Sequence, residues 1–208
     1  MTGVLIGELA PDFTCSAVSP SGEILSSFNL HNSFKDKYGL IFFYPLDFTF
    51  VCPSELIALS NRIGHLKELN VEVISVSSDS HYTHNAWRNT EPASGGIGNV
   101  EFTMASDLNG EIIKSYGLRS VSNRSYYDPG VAMRGTFITD KNMIVRSQTI
   151  NDEPIGRNID ECIRIIEALI FFEENGQVCP AGWNKGFPGM HNTKEGVSEF
   201  LGAHHKML

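Results

Sequence analysis

Cys52 is the residue of this chain whose surroundings most clearly favour chemistry. It stands where one pattern gives way to another. The run Leu40-Ile41-Phe42-Phe43-Tyr44 is β-branched and aromatic, which predicts a buried strand, and Pro45 ends it. Apolar residues then recur at Leu56, Leu59, Ile63 and Leu66, the spacing of one helix face. Pro53 is tolerated in a first helical turn, because the N–H it lacks would be unpaired there. Cys52 is therefore expected at or just before that turn. A free cysteine has a pKa near ~8.5, so only about 3% is the nucleophilic thiolate at pH 7. Unpaired N–H donors and the partial positive charge of a helix start both favour the thiolate. Thr49, three residues upstream, carries a hydroxyl that can hydrogen-bond the thiolate or an incoming oxygen. Buried cysteines are more often inert than reactive, and it is the strand-to-helix position that argues for reactivity here.

A second thiol is not supplied locally. A dithiol exchanger would carry C-x-x-C at this junction, whereas the chain reads Cys52-Pro53-Ser54-Glu55. Any disulfide partner must come from elsewhere in the chain or from another chain. Cys15 falls in a predicted strand and Cys162 in the apolar stripe of a predicted helix, so both read as packed thiols. Cys179 lies in Val178-Cys179-Pro180, at the head of a glycine- and proline-punctuated stretch. Arg134 interrupts apolar neighbours at the start of a predicted strand. Such an arginine is usually a solvated strand end, and a guanidinium is always charged and donates in a fixed planar fork. Glu55 suits a helix first turn.

Around these residues the pattern alternates strand and helix. A hairpin is expected from Ala10–Val18 and Glu23–Phe28 about the turn Ser19-Pro20-Ser21-Gly22. Val71–Ser77 reads as a second buried strand, ended by the N-cap cluster Ser78-Asp79-Ser80 ahead of a helix over His81–Asn89. Strand, helix and strand in that order predict parallel pairing. Further strands are expected over Val100–Ala105, Val131–Thr139 and Met143–Ile150, and helices over Asn109–Tyr116, Asn158–Glu174 and Ser198–Lys206. Trp87 reads as core. Glu91–Asn99 reads as a connector, without the G-x-x-x-x-G-K-[ST] of a phosphate loop. Residues from Val178 onward make a poor core element and read as a mobile arm.

Composition narrows the classes. The net charge of −8 argues against nucleic acid or an anionic membrane as partner. No run of 18 apolar residues is present. The opening MTGVLIGELAPDF lacks a basic region and a signal-length apolar run. The 4 cysteines are too few and scattered for a secreted disulfide framework. A cytoplasmic setting is expected. No cysteine pair has zinc-ligand spacing with a histidine.

Pro45-Leu46-Asp47-Phe48-Thr49-Phe50-Val51-Cys52-Pro53 resembles the P-x-x-x-T-x-x-C active-site motif of peroxiredoxins, and Val178-Cys179-Pro180 resembles the resolving-cysteine motif of the typical two-cysteine subgroup. The resemblance runs from about Ala10 to Trp183. It implies an α/β, thioredoxin-like fold: a central mixed β-sheet flanked by helices, an N-terminal hairpin and a C-terminal arm. The peroxidase domain would be residues 1–175 and the arm 176–208. It implies that Cys52 attacks hydrogen peroxide or an organic hydroperoxide, that Cys179 resolves the sulfenic acid, and that Thr49 and Arg134 hold the peroxide. Pro45 would shield the sulfenate, Arg157 with Glu55 would support Arg134, and Trp87 would lie near the active-site wall. No metal or organic cofactor is implied. Thioredoxin or a flavoprotein disulfide reductase would return the electrons. A homodimer with an inter-subunit Cys52–Cys179 disulfide is implied, often within a decamer, although the sequence alone does not show that the bond crosses chains.

Gly95-Gly96-Ile97-Gly98 is similar to the G-G-L-G insertion of members that over-oxidise easily. Their terminal Tyr-Phe pair is replaced here by Glu199-Phe200-Leu201, so intermediate sensitivity is expected. Two rivals from other classes are a thioredoxin-fold chaperone in which Cys52 is idle, and a dithiol exchanger. Thr49, Arg134 and Cys179 together argue against the first, and the missing C-x-x-C against the second.

Overall fold

All six residues of β3 (Tyr38–Phe43) are buried, as a strand at the centre of a sheet covered on both faces must be. The computed structural model describes residues 3–121 and 125–208; the first two residues of the opening stretch lie outside it. Two compact units divide the chain, Met1–Ile159 and Asp160–Leu208.

In the first unit the other strands are β1 (Thr14–Val18), β2 (Ile24–Asn29), β4 (Val71–Ser77), β5 (Thr103–Ser106), β6 (Arg134–Thr139) and β7 (Val145–Asn151). Among the described residues they form one sheet in the order β2-β1-β5-β4-β3-β6-β7. The expected hairpin is β1 with β2, paired antiparallel. β3, β4 and β5 run parallel, while β6 is antiparallel to both β3 and β7. The sheet is therefore mixed and thioredoxin-like, as expected.

Side chains alternate across β3. Ile41 and Phe43 enter a core with Ile74, Val76, Tyr116 and Phe137. The rings of Phe43, Tyr116 and Phe137 meet at centroid distances of 4.8, 4.9 and 5.8 Å, tilted or edge-on as aromatic quadrupoles prefer. Each such ring contributes about 1.5–3 kcal/mol by burial. Phe42 points to the opposite face.

The helix expected after Cys52 is two helices, α2 (Cys52–Ser60) and α3 (Ile63–Glu68) in the running order of helices after α1 (Leu30–Ser33). The apolar stripe nevertheless holds, because Leu56, Leu59, Ile63 and Leu66 are all buried. The break falls at Asn61-Arg62, where the Arg62 guanidinium donates to the Ala58 carbonyl at 3.1 Å and so satisfies a helix-end acceptor. α4 (His81–Arg88) and α5 (Glu111–Ser115) complete the unit. β6 starts three residues later than expected, at Arg134 itself.

The second unit holds most of α6 (Ile159–Asn175) and all of α7 (Lys194–His204). Between them the punctuated stretch forms a closed loop. Val178 and Met190 exchange two backbone hydrogen bonds of 2.9 Å. Trp183 is buried and stacks on Phe171 at 4.9 Å. The glycines there are turn residues: Gly182 and Gly186 have φ of 68° and 94°. No helix among the described residues is long and apolar enough to cross a membrane.

Candidate active site

Cys52 is the first residue of α2, with Pro53 in the first turn and no side chain capping the helix start. Its side chain is fully buried. Arg134 Nη1 donates to Cys52 Sγ at 3.3 Å and to Glu55 Oε2 at 2.9 Å. Arg134 Nε donates to the Glu153 carbonyl at 2.6 Å. The Arg134 backbone N–H donates at 2.8 Å to the Tyr127 hydroxyl, which itself donates to the Asn151 carbonyl at 2.6 Å. Each end of the arginine is thus tied to backbone flanking β6 and β7.

Glu55 takes a second guanidinium. Arg157 reaches it with Nε on Oε1 and Nη2 on Oε2, both at 2.9 Å, and with its backbone N–H on Oε1 at 2.8 Å. The Arg157 guanidinium carbon lies 3.3 Å from the Phe42 ring centroid, and Nη1 donates to the Gly135 carbonyl at 2.8 Å. Burial works to raise the Glu55 pKa, but the hydrogen bonds and charge of Arg157, then the charge of Arg134, hold it below the usual carboxylate range. Burial likewise opposes the Arg134 charge; the Cys52 sulfur and Glu55 overcome that and hold its pKa above the ordinary arginine value. Two guanidinium charges against one carboxylate leave one net positive charge beside the buried sulfur.

The loop before α2 carries the remaining residues. Thr49 Oγ1 donates to the Leu46 carbonyl at 2.8 Å. Its only hydrogen is spent there, so the hydroxyl offers acceptor lone pairs to anything else. Phe48, its neighbour, has φ of 55°, a left-handed conformation that costs a bulky residue about 1–3 kcal/mol and clusters at functional sites. Pro45 opens the loop. Trp87 is buried, packs on Phe48 and Tyr44 at centroid distances of 5.8 and 6.1 Å, and donates through Nε1 to the Gly95 carbonyl at 2.9 Å. The Glu91–Asn99 connector is thereby tied down at Gly95 and buries Gly96 and Ile97, while Glu91–Gly95 stay exposed. Gly95 has φ of 83°, and a Cβ at Gly96 would collide with the Thr90 carbonyl.

Sequence reasoning missed a polar cluster beneath this loop. Asp47 Oδ1 accepts from the Tyr44 hydroxyl at 2.6 Å, and Oδ2 lies 2.7 Å from His84 Nδ1. His84 Nε2 lies 3.2 Å from the Ala105 carbonyl. Asp79, expected within an N-cap cluster, turns toward Asp47 instead; Ser80 is the cap, accepting from the Thr83 N–H. Burial and the Asp47 charge raise the Asp79 pKa, partly offset by hydrogen bonds from Ser77 and the Asp47 N–H. Burial and Asp47 also push Tyr44 well above the tyrosine range. Asp47, Asp79 and His84 bring ligand-type atoms within 4.8 Å of one another, and Tyr44, Ser77 and each other already occupy them. The signal was present in the repeated acids of P-L-D-F-T and S-D-S, but their convergence depends on the β3–β4 pairing.

In the second unit Cys179 is half-buried, its Sγ 3.4 Å from the Ala168 carbonyl it donates to. Burial raises its pKa, and the Arg164 charge pulls the other way. Arg164 Nη1 donates to the Trp183 carbonyl at 2.8 Å, while Nε and Nη2 hold both oxygens of Glu161 at 2.6 and 2.7 Å. Phe200 of α7 stacks on His204 at 4.8 Å and borders a cavity of about 350 Å³ with Trp183 and Phe187. All four cysteines are thiols. Burial pushes the Cys15 thiol up to about 12, consistent with a packed, unreactive residue.

A thioredoxin-like sheet with a buried thiol at a helix start, held by a guanidinium, defines a peroxiredoxin, a thiol-dependent peroxidase. The AhpC/TSA family matches residues 6–148, and the C-terminal domain of 1-Cys peroxiredoxin matches residues 168–203. Alkyl hydroperoxide reductase C of Buchnera aphidicola subsp. Baizongia pistaciae is 49% identical over 198 residues, 95% of this chain and 96% of its own. Peroxiredoxin-1 of Gallus gallus is 44% identical, covering 93% of this chain and 96% of its own. Among solved structures, reduced 2-Cys peroxiredoxin of Plasmodium vivax superposes with a TM-score of 0.89 at 41% identity, covering 97% of this chain and all of that one. AhpC of Enterococcus faecalis gives 0.75 at 38% identity, covering 86% of this chain and 100% of its own. The chain belongs to the AhpC/TSA family.

Proposed function

We propose that Cys52 is the peroxidatic nucleophile and Cys179 the resolving thiol of a hydroperoxide-reducing cycle. The Arg134 Nη1 contact to a fully buried Sγ is the observation that carries this reading. The Cys52 thiolate attacks the terminal, hydrogen-bearing oxygen of the peroxide. The S–O bond forms, the O–O bond breaks, and the leaving oxide takes a proton to become water or an alcohol. Arg134 donates to the peroxide oxygens as charge develops, and the Thr49 lone pairs accept the peroxide hydrogen. Pro45 shields the sulfenic acid. Glu55 and Arg157 hold Arg134 in place, and Trp87 supports the loop that carries Thr49.

Cys179, carried on the arm 176–208, then attacks the sulfenic sulfur; the disulfide forms and water leaves. Both thiols must first be released, Cys52 by unwinding of the first turn of α2 and Cys179 from the Ala168 carbonyl. Thioredoxin or a flavoprotein disulfide reductase restores the thiols by exchange. The cycle uses a homodimer with an inter-subunit Cys52–Cys179 bond, assembled further into a decamer in the cytoplasm. The exposed rings of Phe48, Phe50 and Tyr82 suit burial against another copy. Over-oxidation of Cys52 is intermediate, since Phe200 stands without a tyrosine before it.

Stopped-flow fluorescence of the reduced protein with hydrogen peroxide tests the reading. A fast change lost in Cys52→Ser, with a dimer-sized band on non-reducing gels lost in Cys179→Ser, is expected. Fast oxidation with monomer-sized product only would remove the inter-subunit bond. A Cys52→Ser variant that still consumes peroxide would sink the nucleophile.

A further inference from the structure

One peptide unit links Asp79 to Thr49. The Leu46–Asp47 amide donates through the Asp47 N–H to Asp79 Oδ2 at 2.9 Å. The same amide accepts through the Leu46 carbonyl from Thr49 Oγ1 at 2.8 Å. A peptide is planar, so its N–H and C=O turn together. Fixing the one fixes the other.

The acceptor that anchors this unit is itself constrained. Asp79 Oδ2 also accepts from Ser77 Oγ at 2.7 Å, and the Asp79 N–H donates back to Ser77 Oγ at 3.1 Å. The Asp79 carbonyl accepts from Ser106 Oγ at 2.7 Å. Ser77 and Ser106 are paired residues at the ends of β4 and β5, so the edge of the parallel strands frames the carboxylate. The Asp47 side chain adds a second hold through Tyr44 and His84.

The hydroxyl of threonine has one hydrogen. With the Leu46 carbonyl turned toward it, that hydrogen is taken, and only lone pairs remain for a reacting peroxide. Were the peptide to turn over, an N–H would stand where the carbonyl was. Thr49 would then accept from the backbone and present its hydrogen to the reacting atoms, the wrong polarity for receiving the hydrogen of a hydroperoxide.

We propose that Asp79, acting through the Leu46–Asp47 peptide, sets the polarity of the Thr49 hydroxyl and is thereby a positioning residue for the peroxide step. The proposal rests on the reading of Thr49 as an acceptor for the peroxide hydrogen. Asp79 touches no reacting atom; its effect passes wholly through Thr49, and that makes it separable from a general effect on folding.

The test is a double-mutant cycle in the full-length reduced protein, read as the second-order rate constant for hydrogen peroxide in competition with a haem peroxidase. Thr49→Val, Asp79→Ala, their combination and Asp79→Asn are compared. Asp79→Ala is expected to slow the peroxide step by up to about 10²-fold, the scale of a misplacement of roughly 1 Å at a reacting centre. Asp79→Asn keeps an oxygen that accepts the Asp47 N–H and recovers most of the rate. The combined variant is no slower than Thr49→Val alone, because contributions made through one group do not add. Losses that add overturn the proposal, as does an Asp79→Ala rate equal to wild type beside a slow Thr49→Val. If Thr49→Val itself reacts at full rate, the Thr49 reading falls and takes the proposal with it. Should Asp79→Ala not fold, Ser77→Ala, which loosens the Asp79 carboxylate without removing it, replaces it in the cycle with the same expectations.

Discussion

Arg134 makes three kinds of contact at once: Nη1 to Sγ and to Glu55, Nε to the Glu153 carbonyl, and the backbone N–H to Tyr127. Its planar fork is what allows the side-chain contacts, and a lysine ammonium at the same place has neither the reach nor the fixed geometry. Arg134→Lys is accordingly expected to retain the charge yet lose roughly 10²-fold in the peroxide rate constant, the scale of removing one preorganised donor. Stopped-flow traces of the two proteins check it; equal rates would mean that charge alone suffices. The pattern showed Arg134 only as an oddity among apolar neighbours, and it was the family resemblance that implied a guanidinium near the thiol. That the two meet across 82 positions depends on β6 pairing beside β3, which no local spacing encodes.

At the scale of elements, the stretch around Cys179 shows how punctuation can mislead. Glycines and prolines read as a loose arm, whereas they make the turns of a closed loop whose ends pair at Val178 and Met190. Arg164 ties that loop to α6 through the Trp183 carbonyl and also opposes the burial that raises the Cys179 pKa. In the proposed cycle, attack on the sulfenic acid needs the Cys179 thiolate, so the resolution rate is expected to rise with pH through neutrality. Arg164→Gln removes the opposing charge, raises the Cys179 pKa further and slows resolution at pH 7. The slow phase of a stopped-flow pH series measures this, and an unmoved profile would assign Arg164 to the loop alone. The broken α2–α3 segment carries the opposite lesson. Its apolar period predicted burial correctly at Leu56, Leu59, Ile63 and Leu66 through a backbone break that the period cannot see.

For the whole molecule, Glu55 couples the site to stability. Its pKa is depressed in the folded state by Arg157 and Arg134. The stability it contributes is therefore present above the unfolded value, about 4.3, and is lost as pH falls through the lower folded value. Removing one partner of a buried ion pair costs about 3–5 kcal/mol, so Glu55→Gln is less stable at neutral pH. Its melting temperature is also expected to fall less steeply than wild type below about pH 4.3. Parallel thermal melts from pH 3 to 7 check both parts, and matching acid slopes would count against the Glu55 linkage.

Local information determined much of this protein. Continuous apolar runs placed β3 and β4, a three-to-four period placed the stripe of α2 and α3, and Pro53 placed Cys52 at a helix start, because a strand covered on both faces is apolar throughout while a helix buries one face. Tertiary structure alone decided which distant groups share one space. Arg134, Arg157 and Glu55 meet at the sulfur, and Asp79 meets the Leu46–Asp47 peptide, because pairing between strands brings together residues that no sequence interval relates.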